Sequence, residues 1–182
     1  MRIIGGYHKG RILKRVNKKT TRETADMVRE SVFNMIGTKS YKCALDLFAG
    51  SGSYGLEALS RGAKYLYAVD KDKAAIKTVF DNAKLLDVTE HMTILQRDYK
   101  QFLKGVGSLY FDLVFIDPPY DFDAYDQLLV ELNDIVEDDG LVICETKKQR
   151  NLSDRYEKLV KIKDKTYGIK RITIYQKIVE NI

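Results

Sequence analysis

The 182-residue sequence has only two cysteines, Cys43 and Cys144, and two histidines, His8 and His91. The thiols lie far apart in apolar, strand-like runs and neither histidine is near them, which excludes a disulfide framework and any recognisable zinc motif. Both cysteines read as buried strand thiols, and no metal is expected. No apolar run approaches the roughly 18 residues of a membrane span, and residues 1–10 hold no hydrophobic segment of signal-peptide type. The expected location is therefore the cytoplasm, with no membrane partner. Low-complexity tracts and internal repeats are also missing, which sets aside disorder, collagen-like chains and solenoids.

Acid is missing from one stretch. Residues 1–22 carry Arg2, Lys9, Arg11, Lys14, Arg15, Lys18, Lys19 and Arg22 with no Asp or Glu, so this segment is +8 within a chain of net charge +5. The remainder is therefore −3. A concentrated positive arm on a slightly acidic body suits a polyanion such as nucleic acid, although a solvated basic tail would have the same composition.

What is present is an ordinary globular composition, 45% hydrophobic and 31% charged, in a length suited to one domain. Residues 1–182 are read as a single domain: a basic extension over 1–22, a helix over 23–37 and a core over 43–182. The glycine-punctuated start reads as a short hairpin or a pair of extended arms. Thr20 to Glu23 has the form of a capping box. Ala25, Val28, Val32, Phe33, Met35 and Ile36 then recur at helical spacing until Gly37.

From Cys43 onward, short apolar strands alternate with helical stretches. The strands are Cys43 to Phe48, Tyr65 to Asp70, Met92 to Gln96, Phe111 to Asp117 and Gly140 to Glu145. The helices are Gly55 to Arg61, Lys73 to Leu86, Tyr99 to Lys104 and Asp123 to Val136. Such alternation predicts an α/β, Rossmann-like fold with a mostly parallel sheet covered on both faces. Tyr156 to Lys163 and Lys170 to Ile178 add an antiparallel edge hairpin, for seven strands in all.

Open parallel sheets bind ligands at the carboxyl ends of their strands, and the informative residues fall there. The first strand runs through Asp46 into Gly50-Ser51-Gly52-Ser53-Tyr54-Gly55, a G-x-G-x-x-G at a helix start, where backbone can approach a ligand closely. Asp70 ends the second strand, placed to accept from the ribose hydroxyls of an adenosine-type cofactor. Asp98 follows the third strand, as an acceptor for an adenine amino group or equally as a helix N-cap. These features fit either a nicotinamide dinucleotide or S-adenosylmethionine.

The fourth strand separates the two. It ends in Asp117-Pro118-Pro119-Tyr120, which contains the only two prolines in the chain. Prolines fix φ and lack an N–H, so this turn is stiff and rich in acceptors without donors. Such a corner binds an exocyclic amino group of a nucleobase. The Asp117 carboxylate would stabilise the positive charge that grows on that nitrogen as it takes a methyl group, and Tyr120 offers a flat face for an extruded base.

The arrangement resembles the class I S-adenosylmethionine-dependent methyltransferases, and more narrowly the bacterial RsmD family. The resemblance is carried by Arg2 to Gly6, Asp26 to Asn34, Leu45 to Gly52, Gly55 to Ala63 and Asp117 to Tyr120, and it spans nearly the whole chain. One departure is Arg22-Glu23-Thr24, where the family usually reads Arg-Pro-Thr. The resemblance implies methylation of the N2 amino group of one guanine in 16S ribosomal RNA, in free RNA or the assembling small subunit, by a monomer. It implies a cofactor set of Asp46, Phe48, Ala49, Gly50, Ser51, Gly52, Asp70, Lys71 and Asp98. Asp117, Pro118, Pro119 and Tyr120 would hold the guanine, and Arg2, Lys9, Arg11, Lys14 and Arg15 would grip RNA phosphates. Methylation of adenine N6 in DNA or RNA is the alternative, since adenine also offers an exocyclic amine. A nicotinamide-dependent oxidoreductase would leave the proline pair and the basic arm without a purpose.

Overall fold

The computed structural model describes residues 1–16 and 22–179, with side chains from residue 25 in the first helix. That helix, α1 (Arg22–Ile36), leads into β1 (Cys43–Asp46), α2 (Ser53–Ser60), β2 (Tyr65–Asp70), α3 (Lys73–Leu86) and β3 (Met92–Gln96). Next come α4 (Tyr99–Gly105), β4 (Phe111–Ile116), α5 (Tyr125–Glu131), β5 (Val136–Lys147), β6 (Arg155–Tyr156), β7 (Leu159–Tyr167) and β8 (Lys170–Lys177). All eight strands join one sheet in the order β3-β2-β1-β4-β5-β8-β7-β6. The first five are parallel, and β5–β8, β8–β7 and β7–β6 are antiparallel.

Among the described residues the expected seven strands are thus eight. The additional one, β6, pairs only Arg155 with Val160 and Tyr156 with Leu159, too short a run to show an alternating pattern in sequence. The expected helix over 123–136 ends at Glu131, because Leu132–Asp134 tightens into a 3-10 turn and Val136 already pairs with Phe111. The edge hairpin turns at Gly168 and Ile169, later than expected, since β7 continues through Tyr167. The N-terminal segment is a short hairpin: Arg2 and Ile12 form one antiparallel bridge, flanked by backbone bonds from Ile3 N–H to Arg11 O (2.9 Å), Leu13 N–H to Met1 O (3.0 Å) and Gly10 N–H to Ile3 O (2.8 Å). The capping box at 20–23 falls outside the described residues.

Every residue of β4 is buried, as a parallel strand covered on both faces requires. Alternate side chains feed two cores. Leu113 and Phe115 join Ala44, Leu66, Val32 and Phe33 under α1, α2 and α3; Val114 and Ile116 join Leu45, Phe102, Leu128 and Leu129 under α4 and α5. Each fully buried side chain of this size contributes about 1.5–3 kcal/mol. Cys43 and Cys144 are free thiols on β1 and β5.

The N-terminal segment belongs to the first core through Ile3 and Leu13. The fully buried Glu57 of α2 accepts from the backbone N–H groups of Ile4 (2.9 Å) and Gly5 (2.8 Å). The Ser60 hydroxyl donates to the Gly5 carbonyl, and its oxygen accepts from the His8 N–H. A side chain at Gly6 would place its Cβ 1.9 Å from the Ser60 carbonyl oxygen, so only glycine permits this approach. The segment is a strap packed on α2 and α3. The reversal of strand order between β1 and β4 opens the sheet at their carboxyl ends, where ligands of such folds bind.

Candidate active site

The loop after β1 is held from behind. Ala49 N–H donates to Val69 O at 2.9 Å, and Gly52 N–H donates to Ala49 O at 2.7 Å. Gly52 then caps α2 with φ 82°, a left-handed conformation that glycine adopts without strain. Asp46 lies beneath this loop, 2% exposed, and its carboxylate accepts from the Gly55 N–H at 3.0 Å. Burial pushes the Asp46 carboxyl up to about 7, against the Gly55 bond and with help from the Asp70 charge. Asp70 accepts from Gly50 N–H and Asp72 N–H, both at 2.9 Å, so it fixes the loop as well as facing the cleft.

A cavity of about 870 Å³ opens in front of the loop. Of the expected cofactor residues, Phe48, Gly50, Asp70, Lys71 and Asp98 line it. Asp46, Ala49, Ser51 and Gly52 do not: they build the turn, and the Ser51 carbonyl is taken by Asn82 Nδ2 at 2.9 Å. Asp98 is the N-cap of α4, accepting from Lys100 N–H at 2.9 Å, while also lining the cavity. Phe48 was expected here, but its apolar partners Tyr99 and Phe122 were not. Phe48, Tyr99 and Phe122 form a three-way aromatic cluster with ring centroids 5.2–5.5 Å apart, bringing the ends of β1, α4 and the turn after β4 together.

Asp117, Pro118 and Pro119 follow β4 directly and line this cavity and a second one of about 440 Å³. Pro119 O accepts from Phe122 N–H at 2.9 Å, closing the turn. Burial raises the Asp117 carboxyl well above the usual carboxylate range, Glu145 and Asp46 add to this, and Lys170 opposes it. Tyr120 lines the second cavity and is 77% exposed, with Lys147 Nζ 3.7 Å from its ring centroid, so one face of the expected platform already carries a cation.

The floor of the second cavity was not foreseen either. Glu145, at the cleft end of β5, is 7% exposed and accepts from the Tyr54 hydroxyl at 2.8 Å. Its other oxygen takes the Lys170 ammonium from β8. Burial works against that ammonium, but Glu145 and Asp117 outweigh it and hold its pKa above the ordinary value. Among the described residues, no cluster of three or more His, Cys, Asp or Glu is placed to hold a metal, and no helix is long and apolar enough to cross a membrane.

The basic strap is only partly available to a ligand. Arg2 and Lys9 are exposed, whereas Arg11 Nη2 donates to Leu85 O at 2.6 Å and Lys14 pairs with Asp81 at 3.1 Å. Arg15 is half-buried, and Lys18 and Lys19 lie outside the described residues. Arg29 of α1 is buried under the strap. It donates to Arg2 O and pairs with Asp26 at 3.0 Å, while Glu30 is exposed.

Comparison with known proteins places this geometry in context. The family model described as conserved hypothetical protein 95 matches residues 1–176. The chain is 40% identical over 182 aligned positions to the putative rRNA methyltransferase YlbH of Bacillus subtilis, covering 97% of this chain and 99% of that protein. It is 35% identical to the ribosomal RNA small subunit methyltransferase D of Haemophilus influenzae, covering 97% and 93%. The solved structure of the putative methyltransferase yhhF from Escherichia coli superposes with a TM-score of 0.83 at 27% identity, covering 99% of both chains. On the match to that model and these identities, the chain belongs to the RsmD family.

Proposed function

We propose that this protein is a ribosomal RNA methyltransferase that transfers the methyl group of S-adenosylmethionine to the N2 amino group of a guanine in small-subunit RNA. The observation that carries the reading is the Asp117-Pro118-Pro119 wall shared by two cavities, one suited to a nucleoside cofactor and one to a base. The relatives support ribosomal RNA as the substrate class.

The larger cavity fits the cofactor by its charge. Five acids, Asp70, Asp98, Asp117, Asp121 and Asp123, line it against three bases, Lys71, Arg97 and Lys100. This balance favours a cationic ligand and disfavours the pyrophosphate of a nicotinamide dinucleotide. Asp70 would hold the ribose hydroxyls, the Phe48–Tyr99–Phe122 rings would pack the adenine, and Asp117 would lie near the sulfonium. When bound, S-adenosylmethionine supplies an electrophilic methyl group.

The remaining work falls to the protein. Asp117 and the carbonyls of the proline turn accept the hydrogens of the target amine and so aim its nitrogen. As the N–C bond forms and the S–C bond breaks, positive charge grows on nitrogen, and the Asp117 carboxylate stabilises it. The elevated proton affinity of Asp117 also suits it to take the proton that the methylated amine must lose.

The test is incubation with methyl-labelled S-adenosylmethionine and small-subunit RNA, then mass analysis of the nucleosides. N2-methylguanosine is expected, with Asp117→Ala reducing it by about 100-fold or more. N6-methyladenosine would overturn the reading in favour of an adenine enzyme, and full activity of Asp117→Ala would remove that residue from the mechanism.

A further inference from the structure

The smaller cavity carries polar groups that the transfer step does not use. Glu145 of β5 and Lys170 of β8 line it beside Asp117, and both are held in place. Tyr54, stacked on Phe115 with centroids 5.1 Å apart, donates to Glu145 Oε2 at 2.8 Å. Tyr125 donates to the Glu145 backbone carbonyl at 3.0 Å. Lys170 is ion-paired to Glu145 Oε1. A carboxylate oxygen retains a second lone pair after one hydrogen bond, and an ammonium has three hydrogens, so both groups keep capacity for a ligand. Glu145 is 7% exposed and Lys170 36% exposed, so the pair forms the cleft floor with its ammonium still reachable from the cavity.

The cavity therefore presents two acceptors, Asp117 and Glu145, and a donor, Lys170, paired to Glu145. Guanine displays the complementary edge: the N2 amine and N1–H donate, and O6 accepts. Adenine, with its N6 amine in the same corner, would turn the N1 lone pair toward Glu145 and a C–H toward Lys170. Resting on the proposed function, we propose that Glu145 and Lys170 select the target base, Glu145 accepting from guanine N1–H and Lys170 donating to guanine O6. Neither residue takes part in methyl transfer; Tyr54 is a positioning residue that orients Glu145. A site of this kind rejects a base of the opposite pattern because acceptor then faces acceptor and donor faces donor, and the base edge loses its water without gaining hydrogen bonds.

The experiment uses small-subunit RNA ligated around a synthetic segment in which the methylated guanosine is replaced by 2,6-diaminopurine riboside. This base keeps the 2-amino group but has a lone pair at N1 and an amine at position 6. For the wild-type protein, kcat/KM is expected to fall at least about tenfold from guanine to the analogue. Glu145→Gln, whose amide can donate to an N1 lone pair, and Lys170→Met should each narrow that ratio. Lys170→Arg, which retains a donor, should preserve it. Affinity for S-adenosylhomocysteine and the melting temperature serve as controls that a merely structural loss would move. Equal wild-type rates on guanine and the analogue would overturn the inference and leave the proposed function standing. Methylation of adenine in the unsubstituted RNA would overturn the proposed function itself. The wild-type comparison decides the matter even if a variant fails to fold.

Discussion

Asp46 carries a cost that depends on pH. Its carboxyl titrates near 7 in the folded protein and near its ordinary value of 3.8 once unfolded, chiefly because folding buries it. Between those values the folded state holds a proton that the unfolded chain has released, so stability is greatest at low pH and falls as pH rises toward 7. At about 1.4 kcal/mol per pH unit, the full loss is on the order of 4 kcal/mol. Urea midpoints at pH 5 and pH 8 should show the decline, and Asp46→Asn should flatten it, leaving the part due to Asp117, which is shifted in the same direction. A decline unchanged in Asp46→Asn would exclude Asp46 as its source. Legibility at this scale followed contiguity. Asp117, Pro118 and Pro119 stand side by side in sequence, so the acceptor corner could be read directly. Tyr54, Glu145 and Lys170 come from α2, β5 and β8, with Tyr54 and Glu145 91 positions apart in sequence, and only the sheet brings them together. Asp70 was legible as a strand-end acid but its hydrogen bond to the Gly50 amide was not, whereas the N-cap bond of Asp98 to the Lys100 amide could be read from its place before a helix.

At the scale of elements, the strap is the part whose character changed most between sequence and structure. Its charge pattern shows a basic arm, and nothing in residues 1–16 alone reveals that Glu57, Ser60 and Asn82 fasten it to α2 and α3. Asn82 both accepts from Lys14 N–H at 2.7 Å and donates to Ser51 O, so it joins the strap to the glycine loop. Glu57 also faces Arg29 at 3.5 Å and Arg61 at 2.7 Å, a paired-charge cluster with two members almost fully buried. Removing its charge leaves the buried Arg29 with Asp26 as its carboxylate partner among the described residues and takes from Arg61 the carboxylate it pairs with. Glu57→Gln is expected to cost about 3–5 kcal/mol and to speed hydrogen exchange at Ile4 and Gly5 before the sheet amides. Equal acceleration throughout the sheet would mean that the strap has no separate stability. The parallel strands were legible because each is a short apolar run bounded by turns. The long β5 was only half legible: Asp139 takes φ 63° beside Gly140, and the register slips between Phe111 and Leu113, so its first residues break the apolar pattern.

For the whole molecule, binding to RNA should be governed by where its positive charge is available. Lys14 is 65% exposed and its pair with Asp81 is a solvent-screened surface contact, so a phosphate can compete for it. If the strap grips the backbone, replacing Lys14 and Arg15 with Ala should reduce the slope of log affinity against log salt by about 1 to 2, measured by filter binding across ionic strengths. An unchanged slope would relocate the contact to the β7–β8 edge, where Lys158, Lys163 and Lys165 also stand exposed. The Rossmann-like architecture was legible from βαβ alternation, whereas the division of the cleft was not, since it depends on how far the proline turn projects. That partition has a pharmacological consequence. A single compound tethering an adenosine moiety to a purine through a short linker would lodge in both chambers and meet the entropic penalty of association once, giving avidity that neither fragment reaches alone.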